Sequence, residues 1–342
     1  MENILITGIT GQDGAYLARD LLAKGFNVYG SIRRASTPST ARLNFLEIES
    51  DVKLIPLELT ELANVIHVLN KIKPKYIYNL AAQSFVADSF IHPHITSQIN
   101  YVGVLNLLEA IKITGIECNI YQASTSEMYG DVLSNPQNEE TRFNPMSPYA
   151  VSKCAAHHLM VNYREAYGMK ASSGILFNHE SELRGREFVT RKITYELAKI
   201  KASGKGCVSL GNMDSVRDWG YAPDYVKAMQ LICESEKSDT YVVATNEITT
   251  VREFFKFAAE AMGFKPVFEG SGVDEKCVDE NSGAIICNVN KEFFRPSDVN
   301  YLRGDYTKIN NELGWKPTTA VQQMVEKMVK NDYQLVKSGI EL

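Results

Sequence analysis

The sequence has few features of secreted, membrane-spanning or nucleic-acid-binding proteins. Its six cysteines include no Cys-x-x-Cys pair, which argues against a disulfide framework or a zinc site. No apolar run reaches the ~20 residues that span a bilayer, and the chain begins in a strand pattern without a basic, cleavable leader. The formal net charge of -5 disfavours nucleic acid as a general partner. We therefore expect a cytoplasmic protein with structural thiols, no metal, no membrane segment and no nucleic-acid partner.

The first half of the chain alternates apolar runs of strand length with amphipathic stretches of helical period. This alternation predicts right-handed βαβ units and an α/β fold with a doubly wound parallel sheet. The predicted strands are 3–7, 26–32, 52–57, 76–80, 120–124, 171–177 and 240–244. The main predicted helices are 15–24, 61–71, 97–114, 148–167 and 223–235.

The remaining residues predict shorter elements and a second, smaller unit. The range 269–288 is rich in Gly, Asp, Glu, Ser and Asn and is typical of a surface loop. We expect residues 1–178 with 221–246 to form the sheet domain. Residues 179–220 with 247–342 are then expected to form a C-terminal substrate-binding domain.

A glycine-rich segment, GITGQDG, follows the first predicted strand and opens a helix. Glycines in this strand–turn–helix context permit a tight turn and close approach to a pyrophosphate at the helix N-terminus. The segment predicts a dinucleotide site formed by Gly8, Thr10, Gly11, Gln12, Asp13 and Gly14.

Two arginines, Arg33 and Arg34, follow the second strand, where an enzyme that uses NAD usually has an acidic residue for the ribose 2′-hydroxyl. Guanidinium groups pair bidentately with phosphate, so the cofactor is predicted to be NADP. Glu58 and Leu59 close the third strand, where we expect the adenine. Small or apolar residues close the fourth strand and allow close approach of the cofactor: Leu80, Ala81 and Ala82.

A Tyr-x-x-x-Lys pair, Tyr149 and Lys153, lies near the start of a predicted helix with Ser147 as N-cap and Pro148 at its first position. The spacing places both side chains on one helix face. The ammonium group, together with the positive charge of a nicotinamide, is expected to lower the pKa of Tyr149. Tyr149 is then a candidate base for a hydroxyl group.

Polar residues end the fifth strand in the segment QASTSE. Because ligands bind at the carboxyl ends of parallel strands, Ser124 is expected to hydrogen bond the hydroxyl that Tyr149 deprotonates. Glu127 adds a carboxylate, which hydride transfer alone does not require and proton abstraction from carbon does. His157 and His158 are interpreted as packing or surface residues of the same helix.

Over nearly its whole length, the chain resembles the extended short-chain dehydrogenases and, among them, the GDP-mannose 4,6-dehydratases. The matching segments are GITGQDGAYLA, YNLAAQS, YQASTSEMYG, SPYAVSK, GILFNHES, FVTRKIT, SLGNMDSVRDWG, FFRP and LGWKP. The resemblance implies a Rossmann-type fold and the catalytic set Thr125, Glu127, Tyr149 and Lys153. It also implies that bound NADP is oxidised and reduced within one cycle while water is eliminated from the sugar.

The resemblance further implies positions for the nucleotide sugar and the cofactor. Arg217 and Arg295 would hold the diphosphate, and Asp298 would bind the ribose. Further substrate contacts are expected from Ser84, Asn178, Val189 and Lys192, and further cofactor contacts from Ser84, His179 and Arg184. In that family the polar segment after Arg33 reaches a neighbouring subunit, so a homotetramer is expected.

Departures from the family pattern leave the exact sugar open. They occur at Glu182–Leu183, at Arg186, at Tyr221 and over 85–89, outside the expected catalytic set. GDP-mannose is the first candidate, and GDP-D-glycero-manno-heptose, acted on by close relatives, is the second. More distant alternatives are a nucleotide-sugar epimerase or reductase, in which Glu127 would be dispensable, and a non-catalytic NADP-binding regulator.

Overall fold

The structure is a computed structural model and describes residues 1–34, 39–131, 134–293 and 301–340. Its strands are β1 (Asn3–Thr7), β2 (Asn27–Ile32), β3 (Lys53–Pro56), β4 (Tyr76–Asn79), β5 (Asn119–Thr125), β6 (Ala171–Leu176), β7 (Asn178–Glu180), β8 (Val208–Leu210), β9 (Val216–Arg217), β10 (Trp219–Tyr221), β11 (Thr240–Val243), β12 (Thr249–Thr250), β13 (Pro266–Glu269), β14 (Lys276–Asp279) and β15 (Ile285–Val289). Its α-helices are α1 (Gln12–Ala23), α2 (Ala41–Phe45), α3 (Leu62–Ile72), α4 (Val86–Ile91), α5 (Pro93–Ser97), α6 (Gly103–Thr114), α7 (Pro148–Tyr167), α8 (Val189–Ser203), α9 (Ala222–Glu234), α10 (Val251–Ala261), α11 (Thr307–Leu313) and α12 (Val321–Ser338).

Seven strands form one sheet in the order β11-β6-β5-β4-β1-β2-β3, and every neighbouring pair is parallel. The central strand β1 has the fully buried residues Ile4, Leu5 and Ile6 because helices cover both faces of the sheet. One face packs on α1 and α9, and the other packs on α3, α6 and α7. The predicted doubly wound, Rossmann-type parallel sheet is confirmed.

Helix α7 has the predicted limits. The hydroxyl of Ser147 accepts a hydrogen bond from the amide of Ala150 at 3.1 Å, and Pro148 occupies the first turn. The helix ends at Gly168, whose φ of 65° is the left-handed conformation that favours glycine at a helix C-terminus. These two ends position Tyr149 at the carboxyl edge of the sheet.

The predicted helix over 97–114 is less regular than expected. Helix α5 passes into a π-helical segment, Gln98–Val102, before α6 begins at Gly103. In this segment the Asn100 side chain accepts a hydrogen bond from the Gln83 amide at 2.9 Å and donates to the Gln83 carbonyl at 3.1 Å. The segment is thereby tied to the loop that follows β4.

A second hydrophobic core lies in the C-terminal half, where α8, α10 and α12 pack on a sheet of order β13-β14-β15-β8. The predicted surface loop over 269–288 is wrong, because β14 and the start of β15 form an antiparallel hairpin within it. Cys277 and Cys287 pair across the hairpin and are buried. The strands are short and only alternate residues face the core, so the polar residues around them hide the strand pattern.

The predicted division of the chain into two domains stays a prediction. Ile309 and Trp315, which were assigned to the second unit, pack instead in the core of the large sheet against α9. Trp315 Nε1 donates a hydrogen bond to the Asp224 carbonyl at 2.9 Å. The segment around α11 is therefore part of the sheet side of the molecule.

Candidate active site

A central pocket opens at the carboxyl edge of the large sheet, as expected for a doubly wound fold. The ends of strands line one side of the pocket, and residues near the second core line the other side. The predicted site residues that line it are Gly8, Gly11, Gln12, Asp13, Gly14, Leu80, Ala82, Ser84, Ser124, Thr125, Glu127, Tyr149, Lys153, Asn178, His179, Arg184, Val189 and Arg217. Predicted residues that do not line it are Thr10, Arg33, Arg34, Glu58, Leu59, Ala81 and Lys192.

The glycine-rich turn has the tight geometry that the sequence predicts. Gly8 has a φ of +71°, and a Cβ there would lie 2.9 Å from the Ala81 amide nitrogen. A Cβ at Gly14 would lie 2.4 Å from the Gly8 carbonyl oxygen. Gly11 begins α1 without a side-chain cap, which leaves the first amides of the helix available to an anion. The turn therefore fits a pyrophosphate.

A charged pair links this turn to β7. His179 Nε2 lies 2.8 Å from Asp13 Oδ2, and His179 Nδ1 lies 2.7 Å from the Phe177 carbonyl oxygen. A carbonyl and an ionised carboxylate only accept hydrogen bonds, so both ring nitrogens donate and the imidazole is protonated. Burial opposes both charges, yet their attraction and hydrogen bond raise the pKa of His179 and lower the pKa of Asp13. The pair fixes the first turn of α1 against β7.

The residues predicted to bind the adenosine end of the cofactor are more dispersed. Arg33 and Arg34 are exposed after β2, and Leu59 is buried. The carboxylate of Glu58 accepts hydrogen bonds from the amide and hydroxyl of Thr60 at 3.2 and 2.8 Å. The sequence reasoning missed Arg42, which donates to the Thr10 carbonyl at 3.0 Å.

Arg42 also donates to the Leu183 carbonyl at 2.6 Å, so it joins the glycine-rich turn to the loop after β7. It lies in the polar segment that was expected to reach a neighbouring subunit, an expectation that stays a prediction. The only signal in the sequence was a single arginine among serines and threonines near a predicted phosphate site.

The Tyr149 and Lys153 side chains face the end of β5 and are buried. Lys153 Nζ donates to the Ala123 carbonyl at 2.6 Å, and burial lowers the pKa of Lys153 to about 8. Burial also raises the pKa of Tyr149 to about 12, while its hydrogen bond with Thr125 opposes that change. In the protein alone, loss of hydration outweighs the Thr125 hydrogen bond and the charge of Arg184, so the predicted lowering of the Tyr149 pKa beside a nicotinamide stays a prediction.

Thr125 and Glu127 complete the group around Tyr149. The Thr125 hydroxyl accepts a hydrogen bond from the Glu127 amide at 3.3 Å and caps a short 3-10 turn, Ser126–Met128. The charge of Glu127 contributes to raising the pKa of Tyr149, and all three residues line the pocket. A phenol, a hydroxyl and a carboxylate thus face the same part of the pocket.

Ser124 has a different environment from the one expected. Its hydroxyl lies 2.9 Å from Nδ1 of His157, which is buried on α7. A contact between Ser124 and a substrate hydroxyl therefore stays a prediction, and Thr125 is the hydroxyl that bonds Tyr149. His157 is a packing residue with a specific polar contact, which its sequence position did not reveal.

The opposite side of the pocket brings together residues that are far apart in the chain. Arg217 lies in β9, is 7% exposed, and donates to the Val216 carbonyl at 2.9 Å. Val189 begins α8, and Asn178 begins β7. Lys192 lies 3.5 Å from the ring centroid of Phe293, which lines the pocket. Arg295 and Asp298 lie outside the described residues.

Arg184 connects the two sides of the pocket. Its Nε lies 3.1 Å from a carboxylate oxygen of buried Glu180, and its guanidinium lies 3.6 Å from the ring centroid of Phe188. Phe188 in turn contacts Phe85 edge to face at 5.9 Å between ring centroids. Arg184 is therefore held as a cation at the pocket wall.

Three further observations bear on the type of site. Among the described residues, no cluster of three or more His, Cys, Asp or Glu side chains is arranged to hold a metal ion. The six cysteines, all within the described ranges, are free thiols. In the same part of the chain, no helix has the length and apolarity needed to cross a membrane.

Comparisons with known proteins show the family to which the chain is similar. Residues 5–328 match the family described as GDP-mannose 4,6 dehydratase. The protein of that name from Drosophila melanogaster is 46% identical over 98% of this chain and 87% of its own length. The Homo sapiens protein is 44% identical over 98% of this chain and 92% of its own length.

Among solved structures, a UDP-glucose 4-epimerase from Thermus thermophilus in complex with NAD is similar in fold. It has a TM-score of 0.79 at 26% identity, and the match covers 96% of this chain and 98% of that one. The likeness extends over the large sheet and the second core together. With a family match over nearly its full length and relatives above 40% identity, this chain belongs to the GDP-mannose 4,6-dehydratase family.

Proposed function

We propose that this chain is an NADP-dependent hydro-lyase that converts GDP-mannose to its 4-keto-6-deoxy product with loss of one water. The observation that carries the proposal is the carboxylate of Glu127 beside the Tyr149 phenol and the Thr125 hydroxyl. An epimerase or a reductase needs no such carboxylate. Family membership makes the chain a dehydratase, and the site supplies the groups that a dehydratase requires.

The glycine-rich turn fits a nicotinamide dinucleotide, since a side chain at Gly8 or Gly14 would collide with neighbouring backbone atoms and disrupt the tight turn that a pyrophosphate site requires. A nicotinamide held by this turn would supply the hydride acceptor for C4 of the sugar and the hydride donor for C6. NADP is proposed over NAD because Arg33 and Arg34 follow β2 where a 2′-phosphate would lie. The Asp13–His179 pair holds the turn in place for this cofactor.

Tyr149 takes the proton of the sugar 4-hydroxyl as C4 is oxidised. Its raised pKa in the protein alone means that the cationic cofactor and Lys153 must favour the phenolate once the site is filled. Thr125 donates a hydrogen bond at the same oxygen. Lys153 is held by its hydrogen bond to the Ala123 carbonyl, one turn along the helix from Tyr149.

Glu127 takes the proton from C5, which the 4-keto group acidifies. The C6 hydroxyl then departs as water, protonated by Glu127 or by Thr125. Of the two protons taken by Tyr149 and Glu127, one leaves in the water and one is delivered to C5 as hydride reaches C6, so no external oxidant or reductant is consumed. Glu127 follows the cap residue Thr125 and lines the same pocket as Tyr149, which supports this role.

The opposite side of the pocket would bind the nucleotide. Arg217 is buried and basic, which suits the diphosphate. Asn178, Val189 and Lys192 are proposed to contact GDP, with Arg295 and Asp298 as further candidates. The proposal also includes a cytoplasmic location and a homotetramer. Multi-angle light scattering at micromolar concentration tests the homotetramer directly.

Mass spectrometry after incubation with GDP-mannose, or separately with GDP-D-glycero-manno-heptose, tests the reaction. Loss of one water from GDP-mannose supports the proposal, and loss from the heptose alone moves the substrate while keeping the mechanism. No loss from either sugar would overturn the dehydratase function.

The variant Glu127→Gln tests the role of the carboxylate. It should lower dehydration about 100- to 10,000-fold, because the amide is isosteric and cannot accept a proton. Glu140→Gln, an exposed acid nearby in the chain, is the matched control. Undiminished dehydration by Glu127→Gln would remove Glu127 from the mechanism.

A further inference from the structure

The buried face of α7 that presents Tyr149 and Lys153 continues one turn further to His157. Spacings of four and eight residues place the three side chains on the same helix face. All three are nearly inaccessible, with 7%, 4% and 4% of their surfaces exposed. His157 takes no part in the proposed chemistry, so the buried imidazole must have a role other than proton transfer.

The three residues contact three consecutive residues at the end of β5. The contacts are Tyr149 with the Thr125 side chain, Lys153 Nζ with the Ala123 carbonyl at 2.6 Å, and His157 Nδ1 with the Ser124 hydroxyl at 2.9 Å. The end of β5 is therefore attached to α7 at every residue from 123 to 125. Glu127 follows on the turn that Thr125 caps.

The environment of His157 holds it in one orientation. Its ring meets the ring of Phe143 edge to face, with centroids 5.4 Å apart and planes at 90°, and the ring of His158 at 5.9 Å. Burial lowers the pKa of His157 to about 3, with His158 and Arg164 acting in the same direction. The imidazole is thus neutral, and either neutral tautomer can bond the hydroxyl.

We propose that His157 is a positioning residue: through Ser124 it fixes the end of β5 on α7, so that Thr125 and Glu127 stay opposite Tyr149. The inference rests on the proposed function, since the reaction needs the hydroxyl, the carboxylate and the phenol in one geometry. A displacement of about 1 Å at such a group lowers a rate by about 100-fold. His157 therefore acts on turnover more than on binding.

Two replacements of His157 separate positioning from packing. His157→Asn places an amide near the position of Nδ1 and can still bond Ser124. His157→Leu fills much of the same space without a polar atom. Turnover, KM and the content of bound NADP are measured for the wild type and for both variants on the sugar that the wild type dehydrates.

His157→Leu is expected to lower kcat about 100-fold, with KM and NADP content within about twofold of the wild type. His157→Asn is expected to recover most of that loss. Equal activity in all three proteins would overturn the inference. So would a loss in His157→Leu that appears equally in KM and NADP content and is not recovered by Asn.

Ser124→Ala is a second probe, useful where His157→Leu does not fold, because it leaves the imidazole in place. It should lower kcat as His157→Leu does, and the double variant should show no additional loss since both act through one bond. Additive losses would contradict the inference. An inactive wild type on both sugars would instead overturn the proposed function, which keeps the two failures distinct.

Discussion

The two walls of the central pocket are built by different means. The strand-end wall, comprising Gly8, Gly14, Thr125, Glu127 and Tyr149, is shaped by backbone geometry and by one helix. The nucleotide wall, comprising Asn178, Val189, Arg217 and Phe293, consists of side chains from elements far apart in the chain. The first wall follows from local spacing, whereas the second exists only after tertiary packing.

The two walls should also differ in function, one acting in turnover and the other in binding. The strand-end wall holds the groups that exchange protons with the sugar in the proposed reaction. The nucleotide wall holds a buried arginine and an apolar surface, which suit binding. Substitutions in the first wall should therefore lower kcat, and substitutions in the second should raise KM.

Tyr149→Phe should give the largest effect, because it removes the proposed base and little else. We expect kcat to fall about 1,000- to 10,000-fold, with substrate binding by calorimetry changed by less than about threefold. Tyr167→Phe on the same helix is the matched control, since Tyr167 is 56% exposed. If weaker substrate affinity accounted for the whole loss of activity, Tyr149 would act in substrate binding. The functional contrast between the two walls would then be lost.

Asp332→Asn should give the next largest effect, on stability. Asp332 is fully buried, accepts from Arg191 Nε at 2.7 Å and joins α12 to α8, the helix that begins in the nucleotide wall. The variant leaves the Arg191 charge buried and unbalanced, so the free energy of unfolding should fall by ~3–5 kcal/mol.

Urea unfolding of Asp332→Asn and of Glu326→Gln, an exposed acid on the same helix, measures the difference. Equal midpoints for the two variants would show that the buried pair is energetically neutral. The nucleotide wall would then be supported by apolar packing alone.

The strand-end wall was the part of the site that could be predicted from the sequence. Ser147, Pro148 and Gly168 define α7 by local capping rules, and the glycine spacing defines the turn after β1. Those rules act over a few residues, so a single sequence contains them. The parallel sheet followed from alternating apolar runs, which burial on both faces requires.

Other features depend on partners that are distant in the chain. The hairpin of β14 and β15 is buried through contact with β8 and the helices of the second core, so its polar sequence indicated a loop. The pKa of Tyr149 depends on how completely the folded chain excludes water. The Ser124–His157 contact joins residues 33 positions apart, and no local pattern predicts it.

Arg217→Met tests the nucleotide wall. It should raise KM for the nucleotide sugar about 10- to 100-fold, since a charge-assisted hydrogen bond to phosphate contributes ~1.5–3 kcal/mol. Retained turnover at saturating substrate is expected because Arg217 is not among the groups around Tyr149. Arg142→Met, which removes an exposed arginine that does not line the pocket, is the control.

A fall in kcat without a change in KM would assign Arg217 to the chemistry. The assignment of binding to the nucleotide wall and of turnover to the strand-end wall would then be wrong for Arg217.

Asp13→Asn should give the smallest effect, and that effect should depend on pH. Folding raises the pKa of His179 from 6.5, so its stabilising contribution is complete below about pH 6.5 and is lost as pH rises through the folded value. Folding lowers the pKa of Asp13 from 3.8, so its contribution is complete above about pH 4 and is lost as pH falls through the folded value. The pair is therefore most stabilising between these limits.

The difference in unfolding free energy between the wild type and Asp13→Asn should be largest near pH 6 and should shrink at alkaline pH. The change is about 1.4 kcal/mol for each unit by which the pair raises the pKa of His179. Asp88→Asn is the control, because the Asp88–His92 pair has a similar 2.9 Å contact at an exposed site, where solvent screens it. Parallel pH curves for the wild type and Asp13→Asn would mean that His179 is neutral, and that its ring is held at the strand-end wall by stacking on Tyr225 at 4.6 Å instead of by charge.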